Sequence, residues 1–162
     1  MDDPCDLFVP YKQFPGGGKI WLMPGLDKTS SDYDDILIIA NCLAEEGHEV
    51  KILHAVHYKD PLYREVFGEL IGTRYYRKCP DLLVDGEFVE YESYTSAQPK
   101  NAFRNMLHKG LAQSDRVILR KCQLTDGYMC HQILGQIQRG IPIADVWIFD
   151  GSKIWSLYNT EG

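Results

Sequence analysis

Between Lys100 and Gln113 the chain sets cationic, imidazole and amide side chains at helical spacing. Asn101, Asn105, Lys109 and Gln113 form one i, i+4 row, and Lys100, Arg104 and His108 form the row beside it. On a helix such rows are neighbours, so all seven share one polar face. Phosphodiester cleavage uses this kind of array: a base that titrates near neutral pH, with fixed cations where charge develops on phosphorus. RNA supplies its own nucleophile in the 2′-hydroxyl, so a metal-free ribonuclease needs little more. On this reading His108 is the general acid/base, and Arg104 and Lys109 hold the scissile phosphate. Gln113 and Ser93 position it, and Glu90 orients Arg104 or Lys109. Lys100, Asn101, Asn105 and Arg116 complete the substrate-binding set. An idle, solvated helix face shows the same row, and a lone histidine there is usually inert.

Acids make a second constellation. Pro80-Asp81 is followed by Glu90-Tyr91-Glu92, the order of acids in metal-dependent nucleases of the restriction-endonuclease type. There two carboxylates hold Mg²⁺ and a lysine, one spacer residue after the second acid, serves the water. Glu92 stands at that lysine position. Asp81, Glu90 and Glu92 are therefore the ligand set of an alternative, metal-dependent reading. Gly16-Gly17-Gly18-Lys19 lacks the spacing of a phosphate loop and precedes a strand, so it reads as an entry loop. His54 and His57 fall on different faces of a strand-to-loop segment. His131 stands on a later helix with no cation at i±3 or i±4. Trp21, Trp147 and Trp155 fall in strands and read as core.

The elements that must carry these residues follow from periodicity and turn chemistry. Residues 1–18, with Pro4, Pro10, Pro15 and three glycines, read as a loop-like arm. Lys19–Met23 is a strand. Ser31, with Asp34 as a capping-box partner, starts a helix that ends at Gly47. Val50–Val56 is a strand, so this helix permits a βαβ unit. A short helix covers 62–70. Asp85-Gly86 separates two strand-like runs and marks a hairpin. Ala97–Gln113 is amphipathic, with Phe103, Met106, Leu107, Gly110 and Leu111 on one face. Arg116–Leu119 is a buried strand. A helix capped by Asp126 runs to Arg139, and Asp150-Gly151-Ser152 turns a second hairpin. The expectation is an α+β fold: a single sheet, largely antiparallel with hairpins, packed by about four helices.

At 162 residues the chain suits one domain, 1–162, with 80–119 as its core motif region. Hydrophobic residues at 44% and charged residues at 25% exclude a disordered or fibrous protein. No apolar run is long enough to span a membrane. The acidic N-terminus has no secretory character, and five widely spaced cysteines suit reduced thiols, so the expected location is cytoplasmic. The net charge of -6 is uneven: residues 97–139 hold seven Lys/Arg against only Asp115 and Asp126. A local anion site is compatible with an acidic chain because affinity follows local potential.

The segment from Pro80 to Leu119 resembles the C-terminal tRNase domains of contact-dependent growth-inhibition toxins, within the wider barnase, EndoU, colicin and RelE-like nuclease group. The resemblance rests on Pro80-Asp81, Asp85-Gly86, Glu90, Ser93, Thr95, Asn101, Arg104-Asn105, Lys109, Gln113 and Asp115-Arg116-Val117-Ile118-Leu119. Glu92 departs from it, standing where an aromatic is common. The likeness covers about 40 residues of the chain. It implies a metal-independent endoribonuclease with no cofactor, a compact sheet packed by helices, tRNA as substrate, and an immunity protein as partner if the chain is a toxin. A third reading is a catalytically degenerate nuclease fold that serves a mobile element as a binding or accessory protein.

Overall fold

The computed structural model describes residues 7–94 and 99–160, without the side chains of Pro99 and Lys100. Thr95 and the start of the expected helix at Ala97 lie outside the described residues. The chain forms two compact units, Met1–Phe88 and Val89–Gly162.

In the first unit, β1 (Val9–Gln13), β2 (Lys19–Leu22), α1 (Tyr33–Glu45), β3 (Glu49–Ile52), α2 (Pro61–Phe67) and β4 (Leu82–Val84) follow in order. Strands β2 and β3 are parallel, with α1 as the crossover between them, and β1 and β4 add antiparallel to either side. Helix α1 buries Ile36, Ile39, Ala40, Leu43 and Ala44, the stripe expected from its period. Its N-cap is Asp32 and not Ser31, one residue later than the sequence suggests. The glycine run has a packing reason. A Cβ on Gly18 would sit 1.7 Å from the Ala44 carbonyl oxygen. Only glycine lets the chain entering β2 pass the end of α1 this closely.

One expectation fails here. The arm 1–18 contains β1, whose register with β2 shifts between Pro10 and Lys12. Proline argues against a central strand but is tolerated beside a bulge or at an edge, and β1 is exposed along its whole length. After β4, Asp85 and Gly86 both take left-handed backbone angles, φ +49° and +86°, as a two-residue type I′ turn requires.

Strand β5 (Glu87–Glu92) begins with the last two residues of the first unit, and the second unit continues through α3 (Pro99–Leu111), β6 (Arg116–Arg120), α4 (Asp126–Gln138), β7 (Asp145–Phe149) and β8 (Ile154–Asn159). Strands β5, β6 and β7 are parallel, and β8 returns antiparallel to β7. Both helices pack on one face of this sheet. Phe103, Met106, Leu107 and Leu111 of α3 join Met129 and Ile133 of α4 over Val117, Leu119, Val146 and Ile148. Thr125, not Asp126, caps α4, its side chain accepting from the Tyr128 amide at 3.1 Å. In the β7–β8 turn Asp150 Oδ1 accepts from the amides of Ser152 and Lys153, each at 2.9 Å. These amides hold its carboxyl below the ordinary range.

The strands in antiparallel and parallel pairs, with four α-helices among the described residues, make the α+β class expected from the sequence. Among the described residues no helix is long and apolar enough to cross a membrane.

Candidate nucleic-acid interface on helix α3

Helix α3 is positioned by its apolar stripe. Phe103 and Leu107 are fully buried, and Ala102, Met106 and Leu111 nearly so. Asn101, Arg104, Asn105, His108 and Lys109 are left exposed on the opposite face. Five of the residues singled out from spacing are therefore brought together along one solvent-facing stripe. His108 stands one helical turn after Arg104, the spacing at which side chains three or four apart are neighbours.

The helix seats tightly. A Cβ at Gly110 would lie 3.0 Å from Val117 Cγ1 and 3.3 Å from Glu92 Cγ. This close approach brings Lys109 Nζ to 3.7 Å from Glu92 Oε1, an ion pair in which the lysine is exposed and the glutamate buried. Glu90 and Glu92 pair in register with Val117 and Leu119, which pack under α3. Both acids therefore face the helix, and both are buried. The carboxylate that reaches Lys109 is that of Glu92, whereas the sequence alone points to Glu90 for that task.

Two assignments need correction. Gln113 does not extend the α3 row. The helix ends at Leu111, and the Gln113 amide donates to the Gly110 carbonyl at 2.9 Å in a tightened last turn. The short connection into β6 takes the chain off the helical path before Gln113 can align with Lys109. Arg116 is also apart from the stripe. Val117 and Leu119 point toward α3, so alternation along β6 turns Arg116 to the other face. There its guanidinium pairs with the buried carboxylate of Asp145, which Asn159 also engages. Ser93 follows β5 and is half-buried. The side chain of Lys100 lies outside the described residues.

His131 is exposed on α4. Among the described residues no group of three His, Cys, Asp or Glu side chains is arranged to hold one cation. No disulfide joins the described cysteines. Burial pushes the thiols of Cys79 and Cys122 up, which suits inert core residues over nucleophiles.

A further feature, which no short motif marks, lies in the first unit. A cleft of about 240 Å³ opens where β2 and β3 end, lined by Leu26, Asp27, Ser30, Tyr33, His54 and Asp81 among others. Asp27 accepts from the Thr29 hydroxyl at 2.6 Å and its amide at 2.9 Å, which holds its carboxyl low. His54 sets Nε2 2.7 Å from the Pro24 carbonyl and Nδ1 3.1 Å from that of Ala55. The βαβ pattern is the signal that finds it, because crevices form outside the carboxyl ends of parallel strands.

Comparison with protein-family models, curated proteins and solved structures finds no match for this chain.

Proposed function

We propose that this protein is an endoribonuclease-like domain that engages RNA, with tRNA as the expected substrate, through the exposed face of α3 and cleaves it without a metal. The observation that carries the reading is the single solvent-facing stripe of Asn101, Arg104, Asn105, His108 and Lys109 on a helix locked to its sheet. In the reaction His108 takes the proton of a 2′-hydroxyl. O2′ then attacks the adjacent phosphorus, the P–O5′ bond breaks, and the leaving 5′-oxygen takes up a proton, giving a 2′,3′-cyclic phosphate. Arg104 and Lys109 meet the charge that builds on the phosphoryl oxygens. Glu92 tethers Lys109 and so limits where its charge is presented. The substrate sets the cytoplasm as the place of action, and an immunity protein covering α3 is the expected partner if the domain is a toxin.

The test is digestion of total tRNA by the purified protein with and without EDTA. Cleavage that persists in EDTA and leaves cyclic phosphate ends is the expected result. Cleavage lost in EDTA overturns the metal-free reading, although Asp81, Glu90 and Glu92 form no three-ligand cluster among the described residues, and no cleavage under either condition favours a binding or accessory role.

A further inference from the structure

We infer that the surface around Tyr76 and Arg77 in the first unit is a binding platform for single-stranded nucleic acid, independent of the α3 reading. The segment after β3 and the turn before β4 come together there. The ring of Tyr58 stacks on His57 with centroids 4.7 Å apart and carries the Arg77 guanidinium 4.0 Å from its centroid. Tyr76 meets Tyr58 edge-on at 6.0 Å and Tyr63 at the same separation, and it is itself 36% exposed.

This cluster is built, not accidental. Tyr63 is buried, its hydroxyl donating to the Lys78 carbonyl at 2.9 Å and accepting from the Arg77 amide at 2.8 Å. Arg77 holds φ +77°, the left-handed region that a branched or long side chain rarely occupies. Strain of this kind persists where the surroundings enforce it, and here it sets the guanidinium over an aromatic face.

The charge is equally pointed. Residues 1–96 hold eighteen Asp/Glu against nine Lys/Arg, yet Arg74-Tyr75-Tyr76-Arg77-Lys78 is wholly cationic and aromatic. Among the described residues no carboxylate forms an ion pair with Lys59, Arg74, Arg77 or Lys78. Cations beside an exposed ring match the two halves of a nucleotide. Bases stack on Tyr76, and phosphates meet Arg77, Arg74, Lys59 and Lys78. An acidic peptide would use the cations but leave the rings without a role.

The test is fluorescence anisotropy with a labelled oligothymidine, the native protein and two variants. DNA is used because it has no 2′-hydroxyl and so is not consumed by the cleavage proposed for α3; the two readings then fail separately. Arg77→Gly removes the guanidinium while glycine keeps the backbone at φ +77°, and Tyr76→Ala removes the ring. The single strand should bind, with a salt slope that falls by about 0.7 in Arg77→Gly. Tyr76→Ala should weaken binding about tenfold. Polyglutamate should bind far more weakly and ignore Tyr76→Ala. No binding of the oligonucleotide, binding indifferent to both variants, or equal capture of polyglutamate overturns the proposal.

Discussion

Lys109 Nζ lies 3.7 Å from Glu92 Oε1, and at the next residue the backbone of α3 runs so close to β5 that a Cβ would sit 3.3 Å from Glu92 Cγ. The pair thus sits at the seam where helix meets sheet, with its cation facing solvent and its anion beneath. The anion removes part of the field that a phosphate would feel at Lys109.

Glu92→Gln keeps the shape of the seam and removes that charge. Because the lysine is 77% exposed, the change in stability should stay under about 1 kcal/mol. RNA affinity should rise, and the magnitude of the salt slope should grow by about 0.7 as one more cation becomes available. Titrations at several salt concentrations check this; weaker binding with an unchanged slope would show that Glu92 positions Lys109 productively.

His108→Ala should lower RNA cleavage about 10²–10⁴-fold, the range of a general acid/base. His131→Ala, on α4 in the same unit, should leave it within a few-fold. Both side chains are exposed, so melting curves of the two variants should match the parent. Full activity in His108→Ala removes that residue from the reaction.

Much of this architecture was readable from local chemistry. Asp85-Gly86 and Asp150-Gly151-Ser152 announce their turns because φ > 0 and Asx hydrogen bonds are properties of a few adjacent residues. The buried stripe of α3 was readable because helical period is local too. What escaped depends on partners far along the chain. Arg116 looks like a substrate cation until Asp145, 29 positions later, claims it. Strand β1 looks like loop because Pro10 and the glycines are judged without β2 beside them. The task of Glu92 was hidden for the same reason: only the seating of α3 reveals which of two acids on one strand face meets Lys109.

Gly18→Ala should be among the most damaging small changes in the first unit. The added carbon would fall 1.7 Å from a backbone oxygen of α1, so helix or strand must move, at about 3 kcal/mol or more, the upper end of overpacking. Gly16→Ala is the control. A Cβ there meets nothing within 4 Å, and the change should stay within about 0.5 kcal/mol. Urea unfolding of the two variants distinguishes a packing role from a phosphate loop, in which both glycines would matter for binding and neither for stability.

Asp85 offers a test in pH. Burial raises its carboxyl, but hydrogen bonds from the His48 ring at 2.6 Å and the Glu49 amide at 2.9 Å outweigh this and hold it below its ordinary value. A carboxyl lowered on folding stabilises above its ordinary value and loses that contribution as pH falls through the lowered one. Asp85→Asn preserves a residue suited to the left-handed turn and removes the charge. At pH 7 it should be about 0.2–1 kcal/mol less stable than the parent, as for exposed pairs. Denaturation curves should converge as pH drops below the ordinary carboxylate range; a constant gap down to pH 2 would locate the effect in the turn and not in the charge.

Strand β1 bears on how copies of this chain behave in concentrated solution. It exposes Val9 and Tyr11, and among the described residues it pairs only with β2, the conditions under which extended segments stack into fibrils. Pro10 supplies no N–H, and the register shift after it interrupts any straight ladder. Lys12 holds its ammonium against Asn41 Oδ1 at 3.2 Å and over the Phe14 ring. A neighbouring chain that begins to zip along this margin meets a missing donor, a kink and a fixed charge within three residues. The irregularity that disguises β1 as loop therefore also guards the protein against self-templated assembly.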